Sequence, residues 1–254
     1  MRCSSGFIYQ TLYEQIQGKL GEKLNYPWPS TLGVDEHFFT RIRGRAEFAT
    51  VFTDYPNKRL RELAFRKVKG EIIAQIQDIE GRENVRNVII DMSDGYRSFI
   101  KEHFPNARII ADKFHVLRLL TPAITKRRVA ITGDKRSLPV RRLLLRPRYK
   151  LFYYERDALD RWHAGYPELR DVYTAKEALY NFYRIKGSRR AAVALTKFTD
   201  WLAHSKIKEL KKLRRTLIAW RHEILAYFET GLTNARTEGF NNGLYIINGG
   251  SQDF

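Results

Sequence analysis

The chain of 254 residues carries 46 Lys and Arg against 28 Asp and Glu, a formal net charge of +18, and 43% of its residues are hydrophobic. This composition excludes a disordered tail and predicts a folded protein with a polyanionic partner. No apolar run approaches the roughly 18 residues of a membrane-spanning helix, and the single cysteine, Cys3, excludes disulfides within the chain and zinc fingers built on cysteine pairs.

Three strand-like runs begin at Thr31. They are TLGVDEHFF, RAEFATVF and KRLRELAF, and the turn-rich segment DYPNK separates the last two. Alternating patterns joined by such a turn predict an antiparallel meander. Residues 1–30, which precede the meander, are predicted to be a short N-terminal helical remnant.

A helix, a strand, a second helix and a fifth strand follow in the predicted order. In GEIIAQIQDIEG, four isoleucines share one helical face before Gly81, and VRNVIID has the continuous apolar character of a buried strand. The next helix carries Tyr96, Phe99, Ile100 and Phe104 at helical spacing, and ARIIAD follows as a strand. This order predicts an α/β (α+β) fold with a ribonuclease-H-like mixed sheet over residues 31–115.

Residues 116–230 are predicted to form a long, all-helical insertion. Two apolar stripes support this prediction, one of Leu169, Val172, Tyr173, Leu179 and Phe182, the other of Leu210, Leu213, Leu217, Trp220, Ile224, Tyr227 and Phe228. The basic stretch KRRVAITGDKRSLPVRRLLLRPRYK is predicted to be a linker or a loop-rich surface between helices, because its Gly and Pro residues interrupt helical periodicity.

Two acidic residues stand where such a sheet brings strands together. Asp35 lies on the first predicted strand and Asp91 ends the fourth, and these strands are neighbours in a ribonuclease-H-like sheet. Two-metal phosphodiester chemistry needs converging carboxylates of this kind. Taken singly, either aspartate is better explained as a turn or cap residue, but together they favour a metal site. Asp94 competes with Asp91, although it is better placed to cap the helix that starts near Gly95.

Several blocks of the sequence resemble the transposases of the ISL-three family of bacterial insertion sequences. They are DMSDGYRSFIKEHFPNARIIADKFHVLRLL, LGVDEHFF, LIAWRHEILAYFE and TNARTEGFNN, and together they run from about Leu32 to Asn242. The resemblance implies a DDE transposase in which Asp35, Asp91 and Glu238 are the catalytic residues and the ligands of two Mg²⁺ ions, for which Mn²⁺ substitutes. Without its motif, Glu238 would stand no higher than Glu223 or Glu229.

The resemblance also assigns a supporting role to Asp112 and His115, which match an Asp-x-x-His pattern after the second acid. A satisfied histidine at a strand-to-helix junction is an equally weighted interpretation of His115. Under a different alignment Asp112 would itself be the second catalytic acid, which its place on the fifth strand disfavours.

The partners implied are double-stranded DNA at transposon ends and target, and further copies of the chain in a homo-oligomer on that DNA, without a membrane. The expected localisation is cytoplasmic and nucleoid-associated, since the opening segment lacks a secretory signal. The basic residues expected to contact DNA are Lys113, Arg118, Lys126, Arg127, Arg128, Arg141 and Arg142.

Two departures from the family pattern concern the ends. Only about thirty residues precede Asp35, where the family carries a cysteine-rich zinc segment and a helix-turn-helix, and the chain ends on GLYIINGGSQDF instead of a Lys-rich helix. The expectation is therefore a transposase truncated at both ends, with residues 231–254 as a shortened catalytic-glutamate helix. The alternative is an inactive remnant that only binds DNA. A structural RNA-binding role is a third possibility, because charge alone does not distinguish duplex DNA from RNA, and it ranks last because charge does not explain the positions of the acids.

Overall fold

The computed structural model of the chain describes residues 26–42, 45–65, 68–133 and 139–234. Five strands form one sheet in the order β3-β2-β1-β4-β5. They are β1 (Thr31–Ile42), β2 (Arg45–Asp54), β3 (Arg59–Phe65), β4 (Asn87–Ile90) and β5 (Arg108–Ala111). The first three form an antiparallel meander, and β1 also pairs with β4 in parallel. The predicted element order, mixed sheet and fold class are confirmed.

The described residues divide into two compact units. We call residues 26–109 with Asn234 the sheet unit and residues 110–233 the helical unit; the boundary falls within β5. Over the described part of the chain, no helix has both the length and the apolar character needed to cross a bilayer.

The sheet unit contains helices α1 (Lys69–Ile76) and α2 (Asp94–His103) and a 3-10 turn at Arg82–Asn84. Helix α1 buries Ile72 and Ile76 and ends there, short of the predicted stop at Gly81. Gly81 instead serves the 3-10 turn, where its φ is +78° and a Cβ would lie 2.7 Å from the Cβ of Pro27. Only glycine fits both the left-handed backbone and the close approach of that neighbour.

Helix α2 begins with a serine cap, which corrects the expectation that Asp94 is the cap. The Ser93 side chain accepts a hydrogen bond from the Tyr96 backbone N–H at 3.4 Å, and Asp94 is the exposed first helical residue. A carboxylate in the first turn still complements the helix dipole, so both residues favour a helix start here. The predicted apolar face is buried, including Phe99 and Ile100.

An aromatic cluster fills the core of the sheet unit. Trp28 packs edge-on against Phe52 and Phe104, with ring centroids 5.4 and 5.2 Å apart, and Phe99 lies 6.1 Å from Phe52. Edge-to-face packing at this distance is the favoured arrangement of aromatic rings. The cluster joins the segment before β1, strand β2 and helix α2, and thereby fixes the helix that follows β4.

The helical unit contains eight described α-helices and a 3-10 turn. The helices are α3 (Lys113–Arg118), α4 (Thr121–Thr132), α5 (Pro139–Leu145), α6 (Tyr153–Ala164), α7 (Pro167–Phe182), α8 (Ser188–Ala203), α9 (Lys208–Ala219) and α10 (Arg221–Thr230), and the 3-10 turn is Arg148–Lys150. The first predicted apolar stripe is confirmed as the buried face of α7. The second stripe is divided between α9 and α10, because the backbone leaves helical geometry at Trp220.

The basic stretch predicted to be a linker is largely helical, so that prediction was wrong. Helix α4 continues to Thr132 and closes on Gly133, whose φ is +66°, and α5 begins at Pro139. A left-handed glycine just past a helix and a proline at its first position are end signals, not breaks within a helix. The Gly and Pro residues therefore separate two helices.

A buried lysine holds the carboxyl end of α5. Lys176 Nζ donates to the carbonyl oxygens of Leu144 and Arg146, both at 2.8 Å, and lies 2.7 Å from a carboxylate oxygen of Glu177. Burial lowers the pKa of Lys176, and the charge of Glu177 opposes that shift. Because helix carbonyls at this end have no partner within the helix, the lysine stabilises a helix of only seven residues.

Candidate metal centre and basic cleft

Asp35 and Asp91 lie at the same level of two paired strands. The parallel register pairs Val34 with Ile90, and Asp35 and Asp91 are the next residue on each chain. The predicted pairing of the first and fourth strands is confirmed, whereas the facing of the two carboxylates stays a prediction. Asp35 is buried within β1 and its Oδ1 accepts the Glu36 backbone N–H at 2.8 Å, whereas Asp91 follows β4 and is half-buried.

Asp112 and His115 form a local pair where β5 passes into α3. The fully buried Asp112 carboxylate accepts the His115 backbone N–H at 3.3 Å and lies 3.0 Å from His115 Nδ1. The aspartate therefore caps α3 and orients the imidazole at the same time. When Nδ1–H donates to Asp112, the lone pair of His115 is on Nε2, the tautomer suited to a cation ligand.

Three side chains at the ends of β4 and β5 are grouped closely enough to hold a metal ion. Asp91, Asp112 and His115 each offer one ligand atom, and these atoms lie within 4.8 Å of one another. The two strands are neighbours in the sheet, which explains how residues 21 positions apart meet. Two carboxylates and one imidazole suit a divalent cation such as Mn²⁺ or Mg²⁺. Asp35 is outside this group among the described residues.

Tyr96 on α2 stands close to both aspartates and was assigned by the sequence only to an apolar helix face. Its hydroxyl forms a hydrogen bond with Thr50 Oγ1 at 3.1 Å. Burial raises the pKa of Tyr96, and the negative charges of Glu36, Asp35 and Asp91 raise it further. A neutral phenol thus borders the acidic strand ends. Helical spacing identifies such a residue as core and gives no sign that its hydroxyl approaches a site.

Glu238, the predicted third acid, lies outside the described residues. The nearest described residue of its TNARTEGFNN block is Asn234, which is fully buried. The Asn234 side-chain amide donates to the carbonyl oxygen of Val34 at 3.4 Å. Val34 directly precedes Asp35, so the block begins against the strand that carries the first aspartate.

A cleft in the helical unit carries a concentration of positive charge. It encloses about 650 Å³ between α3, α4 and α9. Its basic lining consists of Arg118, Lys126, Lys208, Lys212 and Arg215, with His115 and Glu209 also on the wall. Five cations around one concave surface favour the binding of an extended anion, because their fields add in the cleft.

The other basic residues predicted to contact DNA are engaged within the protein to different degrees. Arg127 bonds to Glu168 and to Glu209, the latter at 2.8 Å, and Arg128 is buried. Lys113 Nζ lies 3.3 Å from the Tyr227 hydroxyl. Arg141 and Arg142 are both exposed, and Arg142 also bonds to Glu155 at 2.6 Å. The sequence could not separate these roles, because most of the acidic partners lie 13 or more positions away.

Comparison with known proteins identifies a family and a curated relative. A family model described as a transposase, that of the ISL-three DDE transposases, matches residues 32–251. The transposase for insertion sequence element IS1001 of Bordetella parapertussis is 28% identical over 177 residues, which is 65% of this chain and 43% of that relative. The aligned part of the chain thus spans less than half the length of this curated relative.

Proposed function

Because this chain belongs to the ISL-three family of DDE transposases, we propose that it catalyses metal-dependent cleavage and strand transfer of an insertion sequence. In this reaction, water attacks a phosphodiester at the transposon end and frees a 3′-hydroxyl. That hydroxyl then attacks a phosphodiester of the target, so one new bond forms as one is broken.

The observation that carries this proposal is the alignment of Asp35 and Asp91 on the parallel pair β1 and β4. Neighbouring strands are about 4.8 Å apart, so side chains at equal positions on one face of the sheet are close enough to contact a common cation. Strand pairing holds the backbone at Asp35, and Asp91 directly follows the last paired residue of β4, Ile90. Rigid, converging carboxylates are the arrangement that two-metal phosphodiester chemistry uses.

Asp112 and His115 extend the set of residues that fit a divalent cation. Asp91 would be shared between a cation held with Asp35 and the group that contains Asp112 and His115. The divalent ions, Mg²⁺ or Mn²⁺, supply charge stabilisation for the attacking and leaving oxygens. The protein's own contribution is to fix the ligands: Asp112 is held by its capping bond, and it orients the His115 ring.

We assign the third catalytic position to Glu238. Support comes from the family match, which extends through this residue, and from the anchoring of Asn234 beside Asp35 four positions earlier. Glu229, which competes for the role, is exposed at the end of α10.

The DNA backbone is proposed to follow the basic cleft. Arg118 and Lys126 belong to the predicted contact set and line it, and α9 adds Lys208, Lys212 and Arg215. Arg141 is exposed and available for a further contact, whereas Arg127 and Arg128 are left out because internal contacts and burial occupy them. Residues 31–115 and 231–254 would form the catalytic domain, residues 116–230 the DNA-contacting insertion, and a homo-oligomer the working complex.

The test is a nicking assay on a plasmid that carries the DNA flanking both sides of this gene, with and without Mg²⁺. Wild-type protein should nick at the element ends only with the metal. Glu238→Gln should lower cleavage by roughly a thousandfold while changing DNA affinity less than about twofold, because only a metal ligand is lost.

Glu229→Gln is the matched control and should cleave like the wild type. Cleavage retained by Glu238→Gln and lost by Glu229→Gln would move the third acid to Glu229. Wild-type protein that binds the flanking DNA without any metal-dependent cleavage would instead identify an inactive DNA-binding remnant.

A further inference from the structure

A short segment of the helical unit exposes an unusual number of aromatic rings. Tyr149, Phe152, Tyr153 and Tyr154 are 45%, 62%, 84% and 57% exposed. These four make up more than a third of the eleven large hydrophobic side chains exposed in the described residues, yet they lie within six positions. Isolated exposed hydrophobics need no explanation, but a contiguous exposed patch usually marks a binding surface. We call residues 149–154 the aromatic segment.

The rings of the aromatic segment are ordered against one another. Phe152 and Tyr154 stack with centroids 5.6 Å apart and planes only 7° from parallel, and Tyr153 meets Tyr154 edge-on at 5.7 Å. Tyr149 has the guanidinium of Arg184 over its ring at 4.6 Å. The exposed surface is therefore composed of flat faces and edges held in fixed relative positions.

Backbone contacts prevent the aromatic segment from folding its rings inward. Leu151 is buried, and its carbonyl accepts a hydrogen bond from Arg156 Nε at 3.0 Å. The buried Glu155 carboxylate accepts the Phe152 backbone N–H at 3.0 Å and bonds to Arg142 at 2.6 Å. These contacts anchor the chain on both sides of Phe152, so the exposure of the rings is built into the fold.

The aromatic segment lies in strongly basic surroundings. Residues 140–157 contain two acids, Glu155 and Asp157, against six basic side chains, namely Arg141, Arg142, Arg146, Arg148, Lys150 and Arg156. Glu155 pairs with Arg142 and Arg146, and Asp160 pairs with Arg148, whereas Arg141 and Lys150 are exposed. Aromatic rings combined with positive charge are typical of surfaces that bind single-stranded nucleic acid, where bases stack on the rings and phosphates meet the cations.

We propose that the aromatic segment binds unpaired DNA bases by stacking, with Phe152 and Tyr153 as the main platform. Duplex DNA hides its base faces, so this surface selects strands that are opened or frayed. The inference rests on the proposed function in one respect, because that function makes DNA the polyanion at hand. Unpaired bases arise there when a strand is cut and displaced, and the platform would hold them away from the partner strand.

The experiment measures fluorescence anisotropy with a 20-nucleotide single strand free of self-complementarity and with the 20-base-pair duplex of the same sequence. The variants are Phe152→Leu, Tyr153→Leu and the double variant. Stacking is worth about 1–3 kcal/mol per base, which corresponds to roughly 5- to 150-fold in affinity. The double variant should bind the single strand at least about tenfold more weakly and the duplex within about twofold of wild type.

Trp201→Leu is the matched control, because Trp201 is an exposed aromatic residue on α8 and is 47% exposed. It should bind both probes like the wild type. Thermal melting should be unchanged in Tyr153→Leu, since that ring is the most exposed of the four, and this variant remains informative if Phe152→Leu folds poorly.

Three results would overturn the inference. In the first, the double variant binds the single strand like the wild type, and in the second it loses the same affinity for both probes. In the third, the double variant no longer self-associates in sedimentation but keeps its single-strand affinity. That third result would make a second copy of the chain the occupant of the aromatic segment. The outcome is independent of catalysis. Asp91→Asn should bind the single strand normally. If the wild-type protein cleaves nothing while the double variant still loses single-strand affinity selectively, the stacking platform is supported and the proposed function is refuted.

Discussion

The sheet unit aligns acidic residues on paired strands. In the helical unit, some basic side chains are bound to acidic partners and others line an open cleft. The parallel register of β1 and β4 places Asp35 and Asp91 at the same level of the sheet. In the helical unit, Arg127 is held by Glu168 and Glu209, while its neighbour Lys126 faces an open cleft.

The position of a residue in the sequence therefore determines its neighbours more directly in the sheet unit than in the helical unit. Along a strand, pairing fixes the level of every residue, so a carboxylate acquires its partners from the backbone. On a helix, adjacent residues face about 100° apart, and the side chain's distant neighbours decide its role. Residues that fix a cation are expected to govern chemistry, and residues that line the cleft are expected to govern affinity.

The largest expected effect is that of Asp91→Asn, which should change cleavage strongly and DNA affinity hardly at all. Loss of a carboxylate shared by the candidate metal ligands should lower Mg²⁺-dependent cleavage by roughly a thousandfold or more. DNA affinity at fixed salt should stay within about twofold, because the cleft is unchanged. The nicking assay and anisotropy measure the two quantities, and a parallel loss of both would show that the units do not divide the work in this way.

The next effect concerns a buried titratable group of the helical unit, His163. Burial lowers the pKa of His163 to about 4 from its ordinary 6.5. The folded state thus resists protonation, so stability is constant above pH 6.5, falls between pH 6.5 and 4, and levels off below. The loss is roughly 3 kcal/mol at most. His163→Phe should reduce the difference between urea unfolding free energies at pH 7.5 and pH 5.

The sheet unit provides the counterpart, since burial also lowers the pKa of His103. His103→Phe should shift the pH dependence in the same direction, because its ring is likewise buried and stacked on Phe99. If His163→Phe keeps the full wild-type difference, the titration that limits stability lies elsewhere, and His103→Phe shows whether the sheet unit carries it.

The smallest effect compares adjacent residues of α4. Lys126→Ala combined with Lys212→Ala should weaken duplex binding roughly tenfold and reduce the slope of log K against log salt by up to about 1.8, because each phosphate contact contributes about 0.9. Arg127→Ala should leave this slope unchanged and instead lower stability by about 1 kcal/mol, since Glu168 and Glu209 lose their partner. A slope change of equal size in Arg127→Ala would contradict the sorting of cations.

The elements of the sheet unit were largely predictable from the sequence, because burial gives each strand a hydrophobic pattern that is visible over a few residues. The apolar run before Asp91 and the alternation around Asp35 located both strands, and strand order then placed the aspartates together. Asp112 and His115, at the start of the helical unit, also carried a local signal, because an N-cap aspartate accepts the backbone N–H of the residue three positions later. Their approach to Asp91 required the neighbouring strands of the sheet.

The helical unit was less predictable because its decisive contacts are remote in sequence. The basic stretch from Lys126 to Lys150 was misassigned when Gly133 and Pro139 were interpreted as breaks, although each lies at a helix end. Its arginines could not be sorted, because Glu168 and Glu209 are 41 and 82 positions from Arg127. Composition gives the total charge of the helical unit, but only the fold shows which basic side chains are paired with acids and which line the cleft.

The hydrogen bond from Asn234 to the Val34 carbonyl joins two parts of the chain that the ribosome synthesises at well-separated times. The two residues are 200 positions apart, with the whole helical unit between them. A ribosome that adds about 5–20 residues per second completes β1 roughly 10–40 seconds before it reaches Asn234. The nascent chain therefore displays its first aspartates long before the segment leading to Glu238 exists. The bond between Asn234 and Val34 therefore cannot form until the whole helical unit has been translated.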